Sequence, residues 1–97
     1  MVEHQVLFKI KGDATEAQID EMMNAIRTLQ DKIEGIVDLS AGENFSERSQ
    51  GFTHGVTVRF TDTQALENYL PHPAHQDVVE NNIKPILDEI IVVDYEF

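Results

Sequence analysis

The chain contains no cysteine, which excludes a disulfide framework, a cysteine-ligated zinc site and a thiol nucleophile. Positive charge is scarce as well. Seven lysines and arginines stand against 18 aspartates and glutamates, a formal charge of −11 with the histidines neutral. A field of that sign repels phosphate backbones and anionic lipid, so neither nucleic acid nor a membrane surface is an expected partner. No apolar run approaches the roughly 18 residues a spanning helix needs, and the start, MVEHQVLFKIKGD, lacks the uninterrupted core of a signal peptide. The expectation is a cytoplasmic protein. There is no glycine-rich phosphate loop, no G-x-S-x-G elbow and no H-E-x-x-H helix.

What is present is a globular composition, 41% hydrophobic, over 97 residues, enough for one domain spanning 1–97. His4, Val6, Phe8 and Ile10 alternate with Gln5, Leu7, Lys9 and Lys11, the period of a half-buried strand. Gly12-Asp13 breaks it. Thr15 and Gln18 form a capping box, and Ile19, Met22, Met23, Ile26, Leu29 and Ile33 make one apolar helical stripe that Gly35 ends. A second strand is expected from Ile36 to about Gly42, then an exposed loop over GENFSERSQG, residues 42–51. From Phe52 a third strand alternates Phe52, His54, Val56, Val58 and Phe60 against a threonine-rich face. Asp62 or Thr63 can cap a short helix carrying Leu66, Tyr69 and Leu70, which Pro71 and Pro73 stop. Val78, Val79, Ile83, Ile86 and Leu87 return at helical spacing, with Pro85 kinking or dividing the segment, and Ile90 to Phe97 reads as a final strand.

The order strand, helix, strand, strand, helix, strand specifies an α+β, ferredoxin-like β-α-β-β-α-β fold, with a four-stranded antiparallel sheet and helices on one side. The other sheet face is left open, and a second copy of the chain is the simplest partner for it, as a homodimer.

The four histidines are His4, His54, His72 and His75. His4 and His54 share the apolar phase of their strands, which puts two imidazoles on the helix side of the sheet, where they need hydrogen bonds. Tyr69 and His75 flank a proline-stiffened turn. There a phenol can donate to a carbonyl oxygen and an imidazole can take a proton. The alternative is structural: His75 caps the following helix and Tyr69 is a core ring. His72 and His75 at i, i+3 lack the further ligands a zinc ion needs, so no metal site is assigned. Ser40, Ser46 and Ser49 have no local partner.

The strand HQVLFKIK from His4, the Gly42-Glu43-Asn44 step, Gly51-Phe52-Thr53-His54, Tyr69 followed by His72-Pro73-Ala74-His75, and Val93-Asp94-Tyr95 together resemble the stress-responsive dimeric α/β-barrel (Dabb) domains over nearly the whole chain. The resemblance implies two sheets packed into a barrel across a homodimer interface. It includes a plant polyketide cyclase that works without a cofactor. The matching positions would make His75 a catalytic base and Tyr69 a hydrogen-bond donor, with His4 and His54 lining the same ligand-binding pocket. Gly55-Val56 after His54, Gln76-Asp77-Val78 after His75, and Pro85 depart from that pattern. The first reading is therefore a small dimeric protein that binds an apolar or carbonyl-containing molecule. A cyclase or lyase of aldol type comes second and a structural dimer third.

Overall fold

The computed structural model describes residues Met1–Phe97. Its elements are β1 (Val2–Ile10), α1 (Glu16–Lys32), β2 (Ile36–Glu43), β3 (His54–Phe60), α2 (Thr63–Tyr69), α3 (Pro73–Val78) and β4 (Leu87–Glu96). A π-helical turn, Val79–Ile83, and a 3-10 turn, Lys84–Ile86, join α3 to β4. The strands form one antiparallel sheet in the order β2-β3-β1-β4. That is the ferredoxin-like α+β arrangement expected from the element order.

Each boundary has a local cause. Thr15 caps α1 through the Gln18 amide at 3.1 Å while the Gln18 side chain accepts from the Thr15 amide at 2.9 Å, completing the capping box. The helix buries Met22, Met23, Ile26 and Leu29 against the sheet. The chain then turns at Gly35, whose φ of +91° a residue with a Cβ rarely adopts. Asp62 caps α2 by accepting from the Ala65 amide at 2.8 Å. The cap of α3 is His72, whose Nδ1 accepts from the Ala74 amide at 3.0 Å, with Pro73 at the first helical position. His75 therefore does not cap this helix.

The return of helical spacing after Pro73 resolves into three different windings. A proline has no amide to give, and its ring crowds the carbonyl four residues earlier. Ahead of Pro85 the backbone widens, with the Lys84 amide reaching back to the Val79 carbonyl, and then tightens into the 3-10 turn. β4 follows at once, starting at Leu87 rather than Ile90.

The core lies between the sheet and the helices. Val2, Val6 and Phe8 of β1 and Val56, Val58 and Phe60 of β3 face inward, as the alternation predicts. The opposite sheet face has no helix over it. Leu7, Ile91, Val93 and Tyr95 stand there 40–47% exposed, beside an ion pair in which Arg59 donates to Glu3 at 2.9 Å. No helix is long and apolar enough to cross a membrane.

Candidate functional site

β4 lies at the edge of the sheet, and the helices do not fully cover it. Its helix-side residues Ile90 and Val92 remain 46% and 48% exposed. Between them and the helical layer opens a pocket of ≈ 220 Å³. Its floor is Val6, Phe8, Val56 and Val58 of the central strands, with Ile26 and Leu29 of α1 and with Val79 and Ile83 of the π-helical turn on the helical wall. Most of the lining is apolar. The polar groups are His4, Tyr69, His75 and Lys84.

Tyr69 closes α2 with its ring buried, 3% exposed. Phe60 meets it edge-on at a 5.0 Å centroid distance, His4 at 5.9 Å, and His75 lies tilted against it at 4.3 Å. These contacts fix the ring from three sides. The hydroxyl makes no hydrogen bond within the protein. No fully buried polar side-chain atom is unsatisfied, so this oxygen opens into the pocket rather than into packed side chains. Burial pushes the phenol up to about 12, so it stays a neutral donor at ordinary pH.

His75 sits on the first turn of α3. Its Nδ1 lies 2.9 Å from the Leu70 carbonyl oxygen, which also accepts from Gln76 at 2.8 Å. A carbonyl only accepts, so the proton of the neutral ring is on Nδ1 and Nε2 keeps its lone pair. Burial lowers the pKa of this imidazole, opposed by the Leu70 hydrogen bond and reinforced by the neighbouring His4 and His72.

His4 is buried, 5% exposed, and its Nδ1 lies 2.5 Å from Asp94 Oδ1. The carboxylate sets the ring orientation and directs Nδ1–H to itself, leaving Nε2 for the other side. Sequence reasoning missed Asp94. The signal was there: antiparallel pairing of β1 with β4 puts Asp94 opposite His4, but only once the register is known.

His54 does not join them. It is on the same side of the sheet, yet it pairs with Phe8, four residues along β1 from His4, about 13 Å at the rise of a strand. Its Nδ1 meets Thr53 Oγ1 at 2.8 Å, and it is not among the pocket's lining residues. The structure thus brings His4, Tyr69 and His75 to one hollow and leaves His54 outside its lining. None of the residues of the 42–51 loop lines the pocket either. His72 is occupied as a helix cap, and no group of three or more histidine or acidic side chains is arranged to hold a metal ion.

Residues 2–97 match the sequence profile of a family described as the stress responsive A/B barrel domain. A stress-response A/B barrel domain-containing protein of Arabidopsis thaliana is 32% identical over 98% of this chain, which spans 36% of that protein's length. Olivetolic acid cyclase of Cannabis sativa is 32% identical over 76% of this chain and 75% of its own. A crystal structure of an Arabidopsis thaliana protein superposes with a TM-score of 0.89 at 28% identity, over 99% of this chain and 94% of that one. A dimeric ferredoxin-like protein of unknown function from Jannaschia sp. CCS1 superposes with a TM-score of 0.79 at 29% identity, over 99% and 98% of the two chains.

Proposed function

The chain belongs to the stress-responsive A/B barrel domain family, and from that premise we propose that it is a homodimeric protein whose helix-side pocket binds a small apolar molecule carrying a carbonyl group. One observation carries this reading. The Tyr69 hydroxyl, on a ring clamped by three aromatic neighbours, faces an apolar hollow with no protein partner. A donor kept there is of use to an acceptor brought in from outside, and an alkyl carbonyl compound supplies both the oxygen and the apolar surface. At ≈ 220 Å³ the space suits a short chain rather than a large polycyclic ligand. The homodimer is supported by the uncovered apolar strip of β4 and by the dimeric state of the Jannaschia neighbour.

Titration of the protein with a medium-chain methyl ketone, followed by calorimetry or by NMR of the lining methyl groups, tests the reading. Saturable binding that weakens about fivefold in Tyr69→Phe, the worth of one hydrogen bond, is expected. Absence of saturable binding overturns it.

A second reading follows from His75. An imidazole with a free Nε2 beside a neutral phenol can remove a proton from the carbon next to a carbonyl, while the phenol donates to the oxygen on which charge develops. A relative named as a cyclase lends this reading support. Here the test is exchange of the ketone's α-hydrogens for deuterium in heavy water. It should be catalysed by the native chain and lost in His75→Ala.

A further inference from the structure

We propose that the preferred occupant of this pocket is an amphipathic carboxylate, with Lys84 holding its anionic head at the mouth. The inference rests on the pocket being a ligand site and adds the charge of what it selects. In a chain with 18 acidic and seven basic residues, no aspartate or glutamate lines the pocket, whereas its ionisable lining beyond the Tyr69 phenol is His4, His75 and Lys84. The Asp94 carboxylate stands behind His4, turned to its Nδ1, so the lining itself presents no carboxylate, and Lys84 is its one permanent cation.

Lys84 begins the 3-10 turn, and its side chain is 60% exposed while lining the hollow, which places the ammonium at the opening. Its present partner is Glu80 at 2.6 Å, a residue of the preceding π-helical turn that is 56% exposed and outside the lining. An exposed i, i+4 pair contributes little, so exchanging Glu80 for an incoming carboxylate costs little. Across the opening, Ile90 and Val92 are only half covered. A fatty tail laid against them removes apolar surface from water on both partners.

Octanoate and methyl heptyl ketone share an alkyl chain and differ in the charge of the head, so titrating both separates this inference from the one it rests on. The affinity ratio of octanoate to ketone is expected to fall about twofold in K84M and to fall less at high salt, where the pair is screened. In E80Q, which frees the lysine, octanoate should bind more tightly than in D20N, a variant that removes one exposed negative charge from α1. An unchanged ratio in K84M, or equal effects of E80Q and D20N, overturns the carboxylate inference and leaves the ketone pocket standing. If neither compound binds, both fall. Circular dichroism melts of each variant confirm that the fold is retained.

Discussion

His75 donates from Nδ1 to the Leu70 carbonyl oxygen at 2.9 Å, across Pro71 and the Pro73 that begins α3. The bond does two things. It ties the first turn of one helix to the end of the other, and it decides which ring nitrogen is left basic.

The pH dependence of His75 follows from its burial. Its folded pKa is depressed below the ordinary 6.5, so below that pH the unfolded chain binds the extra proton more readily than the folded one. Stability from this group is whole above pH 6.5. It declines as pH falls toward the depressed folded value and levels off beneath it. His75→Gln keeps an amide donor for Leu70 and removes the titration. Melting temperatures measured against pH should therefore fall less steeply in the variant through that window. Parallel curves would mean His75 is not held neutral by burial.

Tyr69 separates packing from chemistry. Tyr69→Phe keeps every ring contact and removes only a hydroxyl that no protein group uses, so stability should stay within about 0.5 kcal/mol of the native chain. Tyr69→Ala empties a site between Phe60, His4 and His75 and should cost about 3–5 kcal/mol. Urea denaturation of the two variants reads both numbers. A large loss in Tyr69→Phe would show the hydroxyl serving the fold.

How far these features could be read from the chain depends on how local they are. The alternation of Val2 to Ile10 and the stripe Met22, Met23, Ile26, Leu29 are consequences of period, and period is visible in one dimension. The Thr15–Gln18 box spans a single turn. By contrast His4 and Asp94 are 90 residues apart, and no local pattern says they meet. Period assigned His54 to the correct side of the sheet but not to a place along it, four residues of β1 away from His4. Val79 and Ile83 have helical spacing under α, π or 3-10 winding alike, so spacing alone does not fix the turn that shapes the pocket wall. The cap of α3, expected at His75, falls at His72 because Pro73 takes the first helical position.

Gly35 offers a test of the frame that holds α1 and α2 in place. At φ +91° an added Cβ is strained, and it would also sit 2.7 Å from the Cβ of Ala65, which is buried in α2. Gly35→Ala should destabilise the fold by about 1–3 kcal/mol. Gly12, with nothing within 4 Å and no positive φ, should accept alanine with a change inside about 0.5 kcal/mol. Equal denaturation midpoints for the two variants would contradict the geometry at Gly35.

The open sheet face gives the last expectation. Val93 and Tyr95 of β4 stand beside Gln5 and Glu3 of β1, and Arg59 rides over the Phe97 ring at 5.0 Å while bound to Glu3. The face is therefore neither wholly apolar nor free of charge, and the Glu3 and Arg59 charges are already paired within the chain. Docked against a second copy, it would bury the apolar strip without stranding a lone ion, since Glu3 keeps Arg59. Val93→Asp adds an unpaired carboxylate to the middle of that strip. The native chain should sediment as two copies at micromolar concentration, and the variant as one. Because Val93 is 47% exposed in the single subunit, a dimer lost with the subunit's secondary structure intact marks this face as the contact. If the variant still sediments as a dimer, the interface lies elsewhere on the molecule.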